Sequence, residues 1–579
     1  MEAPVVAEIF TLSREIPSHF EPFDLFEGVM KKGPSSLGML FESARTDNQS
    51  ALKSMMITKA ALRITALKEQ VTVEALTPLG KHLIKDLKTL FSTAIVEEDV
   101  GEEGACVIRF SFPYPQYSRG VLTILDPLLA LKNPQFAPFI GGLFGYDLVG
   151  EYYQIPVPEK GRNLDLCLFL AEELIQIDHK EDQVIYEHLY LECDKRDRLE
   201  IYRSFNQKAA HYSDLIEKLA GERADFPTIS PELSTGELGI TEKIEENGSG
   251  KRLEEEISTR YPETYSQSYP QVTSDRDEPP HHSKIQEPIV SAQNGVATPD
   301  RGAFKKIVEH FIAKTTSGEL LQVVPSRRFS LRCHSPFKSY RQLKRAYPSP
   351  YLFYLHDRDF TLFGASPESA LKYSPYTREL ELYPIAGTKR RGWVDGEIDP
   401  DLDQKMEELL KNDPKELAEH LMLVDLAKED LGKVSEEGSI YVKDLLKVDR
   451  YRYVMHLVSR VAGRLKEGLT PIDAYLAVMN MGTLTGAPKI EAMRQIYQFE
   501  TEARGSYGGA IGYVEGLMQG DRFDSAITIR SAYVKEGIAY VQAGAGIVAD
   551  SDPESEIEET ENKASSVVMA ILEANSQSI

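Results

Sequence analysis

Glu416, Glu419 and His420 stand at i, i+3 and i+4 of one helix-like run, NDPKELAEHLMLVDLAKEDL (412–431). They therefore share a helix face within about one turn. Two carboxylates and an imidazole so placed suit a hard divalent cation and a proton carrier. Asp413 is a good N-cap, Pro414 fits the first helical position, and Glu416 completes a capping-box pattern. Leu417, Leu421 and Val424 form the expected buried stripe. On spacing alone the plainer reading is preferred, in which Glu416 caps and Glu419 is solvated.

A second acidic run, DSDPESEIEETENKAS (550–565), repeats the Asp-Pro start. It sets Glu556 and Glu559 three apart, with Lys563 four beyond Glu559. That is either an exposed Glu-to-Lys helix pair, worth about 0.3 kcal/mol, or a second carboxylate face opposing the first. Two Glu pairs on separate helices would enclose an Mg²⁺ ion that keeps several waters and meets a substrate carboxylate.

Anion-binding groups follow the same C-terminal stretch. In QAGAGIVAD (542–550), Gly544, Gly546 and Ala549 match the loose G-x-G-x-x-G/A pattern, but only residues 547–579 follow. That is too little chain for the rest of a dinucleotide-binding half-sheet. A Gly-rich turn whose N–H groups meet a carboxylate fits better. GSYGGAIGYVEG (505–516) is a similar turn, walled by Tyr507 and Tyr513. Arg530, in SAITIRSA, alternates with Ile527 and Ile529 on an expected strand. It is either a surface arginine or a bidentate fork for a substrate carboxylate. There is no Walker A sequence, HExxH or GxSxG, and none of the four cysteines sits in a Gly-rich glutaminase elbow. Nitrogen taken from glutamine would have to come through another subunit.

These groups need a scaffold, and 579 residues supply one: two to four structural units by length. The chain is 42% hydrophobic and 27% charged, ordinary globular usage, with a net charge of −24. So acidic a surface repels phosphate backbones, so nucleic acid is not expected as a partner. Cysteines at 106, 167, 193 and 333 form no CxxC pair, as in a reduced cytoplasmic protein. No signal peptide or membrane span is expected. In residues 1–225, the runs 61–76, 105–112 and 166–191 read as strands, the last folding about an Asp178–Asp182 turn, and 194–222 as one charged helix. Paired β-runs favour antiparallel sheet. Residues 226–298 are rich in Ser, Thr, Pro, Glu and Gly and read as a low-complexity insertion or linker. Beyond 299, the runs 358–366, 378–387, 525–534 and 539–548 are strand candidates with helices between them.

Six segments carry a resemblance: PIAGTKRRG (384–392), EHLMLVDLAKEDL (419–431), DRYRYVMHLVSRV (449–461), MNMGTLTGAPK (479–489), GSYGGAIGY (505–513) and QAGAGIVADSDPESEIEET (542–560). Together they resemble the chorismate-utilising enzyme family, most closely its anthranilate-forming large subunits. The resemblance implies an α+β fold: two large antiparallel sheets packed as a sandwich, helices outside, and an active-site cleft in the C-terminal part. It makes 1–225 a regulatory and structural part and 299–579 the chorismate-binding catalytic domain. The implied reaction converts chorismate and ammonia to anthranilate and pyruvate through aminodeoxyisochorismate, with Mg²⁺, as the first step of tryptophan biosynthesis. Ammonia is delivered by a glutamine amidotransferase subunit, two of each chain.

The resemblance also assigns residues. Glu419 and Glu559 resemble the Mg²⁺ ligands, with Glu416 and Glu556 holding metal-bound water. Arg530, Tyr507 and the backbone at Gly544, Ala545 and Gly546 resemble the clamp for the enolpyruvyl carboxylate. Gly387, Thr388 and Thr483 are implied substrate contacts, and Lys563 a further carboxylate or metal-shell contact. Glu368, in GASPES, matches the acid that protonates the leaving C4 hydroxyl, and a closed acidic cleft should raise its pKa. His420 resembles the histidine associated with the loss of pyruvate. Aminodeoxychorismate synthases often carry a nucleophilic Lys where this chain has Ala386, and isochorismate synthases a water-activating Lys where it has Gln322. Both positions favour ammonia as nucleophile; an aminodeoxychorismate synthase or a non-catalytic chorismate or tryptophan sensor are the alternatives. LFES (40–43) and YPSPYLFY (347–354) resemble the two elements of a tryptophan feedback site, contacting the inhibitor through Ser43, Pro350, Tyr351 and Leu352. Tyr347 departs from the usual Asn.

Overall fold

Two hairpins close on left-handed residues, the expected one at Asp178–Asp182 and another within the run read as strand over 61–76. Leu166–Asp178 pairs antiparallel with Gln183–Leu191 through Asp182 at φ 52°, and Lys53–Leu67 pairs with Gln70–Ala75 through Lys68 at φ 55°. The computed structural model describes residues 9–223 and 296–577, except 19, 32–35, 44–52, 101–105, 133–135, 192–194, 395–396 and 452–453. The 226–298 insertion thus lies outside the described residues apart from its last three. Those three, Val296–Thr298, pair with the Ser326–Arg332 strand, so regular structure begins slightly earlier than expected. The helix expected over 194–222 is found as Lys195–Arg223.

Strands from the two ends of the sequence share one large antiparallel sheet system that closes on itself. Tyr351 pairs with Ser43, and Ala510 with Phe144. Residues 1–222 and 288–579 accordingly form one compact unit. The layers follow from side-chain alternation along doubly buried strands. Met39, Phe41, Phe169, Tyr351, Phe353, Ile511 and Tyr513 meet in a central layer between the two walls. Their strand neighbours Leu40, Leu352 and Tyr354 point the other way, onto Phe23, Tyr340 and Val567 of helices Pro22–Met30, Pro336–Ala346 and Pro553–Ser576. Leu168, Leu170 and Val514 meet a second outer layer, with Leu83, Val424 and Tyr475 of helices Pro78–Leu90, Pro414–Gly432 and Pro471–Val478. Each such apolar side chain contributes roughly 1.5–3 kcal/mol on burial. Because both faces of these strands are covered, runs such as FIGGLF (139–144) read as continuously apolar. Among the described residues no helix is long and apolar enough to cross a membrane.

Candidate active site

Two helices bring the acids together. Pro414–Gly432 starts under Asp413, whose carboxylate accepts from the N–H of Lys415 (3.1 Å) and Glu416 (3.4 Å). Its buried stripe is His420, Leu423, Val424, Ala427 and Leu431. The expected stripe members Leu417 and Leu421 are only half-buried. The helix is rotated because it packs on the Ile385–Arg390 and Val454–Arg464 strands, which takes His420 inward and leaves Glu416 and Glu419 facing the cleft. Pro553–Ser576 starts the same way, Asp552 accepting from Ser555 N–H at 2.9 Å.

The four glutamates feel one another. Burial, then the charges of Glu419 and Asp413, raise the pKa of Glu416. Burial raises Glu419 as well, with Glu559 adding to the shift and Lys563 opposing it. Burial lifts Glu556 to about 7, helped by Glu559 and opposed by a hydrogen bond with Ser551. Burial pushes Glu559 up too, but its ion pair with Lys563 and the nearby Arg530 outweigh it and hold the carboxyl below its usual range. Gln322 Nε2 donates to Glu419 Oε1 at 2.8 Å. Gln322 Oε1 and Glu556 Oε2 are buried with no hydrogen-bond partner. Among the described residues no three acidic, histidine or cysteine side chains converge into a complete metal shell. The set is a carboxylate-rich cleft with orphaned oxygens, which fits a cation that keeps its own waters.

Beside the acids lies a cationic wall. The expected strand 525–534 breaks at Ile527, and Arg530 sits at a corner with φ 49° before the Ser531–Lys535 strand begins. Leaving strand geometry is what lets the guanidinium turn toward Tyr507, Glu559 and Glu368. Lys563 Nζ donates to Gly544 O at 3.1 Å, and Ala545 N–H is already donated to Pro325 O at 3.2 Å. A Cβ at Gly546 would stand 2.6 Å from Gln322 Nε2, so a larger residue there would push the Gln322 side chain aside. Tyr507 lies with its ring 5.6 Å from the Arg504 guanidinium, and burial lifts its phenol to about 12.

Glu368 follows the Thr361–Ser366 strand and is buried. It accepts from Thr483 Oγ1 at 3.0 Å. Burial raises its pKa to about 8 against the opposing effects of Thr483, Lys563 and Arg530, so the carboxyl is mainly protonated at pH 7. Gly387, at φ 80°, marks a bulge between Ala386 and Thr388. Thr388 Oγ1 lies 2.9 Å from Nδ1 of His456, a histidine that the sequence reading did not single out. Burial, with Arg530 and Lys563 adding, holds His456 down to about 4, so its imidazole is neutral. It remains partly solvent-accessible, as a group lining a cleft should be. His420 is fully buried, with Nε2 2.6 Å from Ser459 Oγ. Carboxyl acid, neutral imidazole, two cations and four further carboxylates thus form one chain of neighbouring charges.

A family profile described as chorismate binding enzyme matches residues 116–569. This chain belongs to the chorismate-binding enzyme family. It is 41% identical over 568 residues to anthranilate synthase component 1 of Salmonella typhimurium, covering 96% of this chain and 95% of the relative. The Escherichia coli protein of the same name is 39% identical over 567 residues, with the same coverage. Anthranilate synthase component I from Streptococcus pneumoniae superposes with a TM-score of 0.55 at 28% identity, covering 90% of this chain and 95% of that one. The menaquinone-specific isochorismate synthase from Escherichia coli gives 0.56 at 16% identity, covering 99% and 96%, a likeness of fold alone.

In this chorismate-binding enzyme LFES and YPSPYLFY also meet. Gly38–Ser43 and Tyr351–His356 are adjacent strands, with Tyr351 opposite Ser43 and Leu352 opposite Glu42. Tyr351 packs in the central layer 5.6 Å from Phe41, while Leu352 faces the outer layer. Pro350 is buried, and Tyr347 is 37% exposed at the end of the preceding helix. His456 escaped notice because VMHLV reads as a strand whose Met455 and Leu457 are core and whose intervening histidine faces water. Only tertiary structure reveals that it faces a cleft.

Proposed function

We propose that this enzyme is an anthranilate-forming large subunit, acting on chorismate and ammonia. The observation that carries the reading is Gln322: an amide, held by Glu419, stands where a lysine would be needed to activate water, and Ala386 leaves no covalent nucleophile at the other discriminating position. Ammonia then adds directly. The high identity to anthranilate synthase components over nearly the whole chain supports the same choice.

Arg530 and Lys563 hold the substrate carboxylates, with Tyr507 as a wall. Ammonia forms a bond to C2, the ring double bonds shift, and the C4 hydroxyl leaves as water with the proton of Glu368. The product of this step is aminodeoxyisochorismate. Removal of the C2 proton then aromatises the ring and breaks the C3–oxygen bond, releasing the side chain as the enol of pyruvate. His456 is assigned as the acceptor of that proton, because its neutral imidazole lines the cleft and Thr388 orients it. Mg²⁺, held by Glu419 and Glu559 with Glu416 and Glu556 on its waters, would supply positive charge to the ring carboxylate.

Ammonia would reach the site from a glutamine amidotransferase subunit, in an assembly of two copies of each chain. Tryptophan would inhibit by binding between Ser43 and Pro350–Tyr351–Leu352, supported by the strand pairing of these segments. Residues 1–225 are thereby the regulatory part and 299–579 the catalytic one. Unpaired thiols at Cys106, Cys167 and Cys333 suit a cytoplasmic setting. The test is product identity from chorismate, Mg²⁺ and ammonium. Anthranilate is expected; a 4-amino or isochorismate product would refute the assignment.

A further inference from the structure

Arg504 lies behind Tyr507 with its side chain wholly out of solvent. Its guanidinium presents its N–H groups in one plane, and they reach three separate segments. Nε donates to Glu500 Oε2 at 2.9 Å and Nη2 to Glu500 Oε1 at 2.6 Å. Nη1 donates to Leu484 O and Nη2 to Val324 O, each at 2.7 Å. The guanidinium carbon lies 4.7 Å from the centroid of the Tyr146 ring. Glu500 follows the Lys489–Phe499 helix and takes two further donors, Ser326 N–H at 2.8 Å and Ser326 Oγ at 2.9 Å.

Each segment so held carries a side chain of the candidate site. Val324 stands two residues after Gln322, whose amide donates to Glu419. Leu484 follows Thr483, which donates to Glu368. Tyr507 stands three residues after Arg504 itself. Val324 N–H also donates to Thr485 O at 2.9 Å, so the first two segments are tied to each other as well. An apolar pair of equal volume would fill the space without the cost of desolvating two charges. It would hold neither carbonyl and neither Ser326 donor. A lysine ammonium is a point charge and cannot span the carboxylate and both carbonyls in one plane.

We propose that Arg504, paired with Glu500, is a positioning residue: one guanidinium fixes Gln322, Thr483 and Tyr507 relative to one another. It touches no substrate and exchanges no proton. The proposal rests on reading these residues as part of the chorismate site.

The test compares R504K and the double variant R504M/E500Q with wild type, as full chains at saturating Mg²⁺ and ammonium. R504K keeps the charge and loses the fork. R504M/E500Q leaves no unpaired buried charge, so it decides the matter if thermal melts show that R504K does not fold. In both, kcat/KM for chorismate should fall about 10–100-fold. The sharper readout is the alkaline limb of the pH profile. Once Leu484 O is released, Thr483 no longer holds the Glu368 carboxylate. The limb should then move up by about half a pH unit or more, the scale of one lost hydrogen bond. The other charged or titratable groups facing Glu368 are Arg530, Lys563 and Tyr451, and the substitutions leave all three in the chain. T483V should give the same shift by itself, and adding R504K to it should move the limb no further. A lower melting temperature with an unmoved limb and unchanged kcat/KM would reduce the pair to packing and overturn the proposal. Reduced kcat/KM with an unmoved limb would overturn it equally, as would failure of both variants to fold. If wild type makes no anthranilate, the Glu368 carboxyl is titrated directly, by infrared difference against E368Q in each background. The same upward shift is expected in the Arg504 variants, and its absence refutes the positioning role, so the two readings fail separately.

Discussion

Thr483 donates to Glu368 at 3.0 Å, yet the carboxyl keeps its proton to about pH 8 because burial outweighs that hydrogen bond and the two nearby cations. Glu368→Gln keeps the shape and the contact but has no proton to give. Anthranilate formation should fall by about 10²–10⁴-fold. Stability should move the other way. A carboxyl whose folded pKa lies above its unfolded value is tolerated best below about pH 4.5 and costs stability as pH rises toward 8. Above pH 8 the variant should therefore be more stable than wild type, by up to about 4 kcal/mol. Thermal melts across pH check the second claim, and a wild-type rate that declines above about pH 8 checks the first.

His456 and Thr388 place a neutral imidazole in the cleft. His456→Gln should leave the first step running and slow the second. Aminodeoxyisochorismate should then accumulate and be visible by chromatography, with anthranilate reduced about 100-fold. Equal loss of both compounds would instead place His456 in the first step or in folding.

Arg530 is half-buried and shares the cleft with Glu368 and Glu559. Arg530→Lys keeps the charge and loses the fork, so the KM for chorismate should rise about 10–100-fold with a smaller change in kcat. Steady-state kinetics at saturating ammonium read the split.

Glu419 is held by Gln322 and lies within the field of Lys563 and Glu559. Glu419→Gln should need far more Mg²⁺ for half-maximal rate and lose at least about 100-fold of the activity at physiological Mg²⁺. A Mg²⁺ titration of rate, with chorismate fixed, measures it. Glu558, which shares the helix and shows no such neighbours among those named for the cleft, serves as the control for general acid removal.

Much of the scaffold was readable from residue order. The hairpin at Asp182, the Asp-Pro helix starts at 413 and 552, and the acidic pairs at three-residue spacing are local signals, and each formed as local chemistry dictates. What required tertiary structure was orientation. Helical spacing puts His420 within one turn of Glu416 and Glu419, but it cannot say which side of the helix the strands will cover. Those strands covered the His420 side. Alternation likewise predicted a continuous strand through Arg530, whereas the chain turns a left-handed corner there and so delivers the guanidinium to the cleft. The convergence of Glu416 and Glu419 with Glu556 and Glu559, more than 130 residues apart in sequence, is a property of the fold alone.

The most direct test is to incubate the purified chain alone with chorismate, Mg²⁺ and ammonium, and to follow anthranilate by fluorescence and pyruvate by an enzymatic assay. The account predicts both products in equal amounts, dependent on ammonium and on Mg²⁺. Pyruvate without anthranilate, or chorismate consumed to an amino-deoxy or isochorismate product, would contradict it.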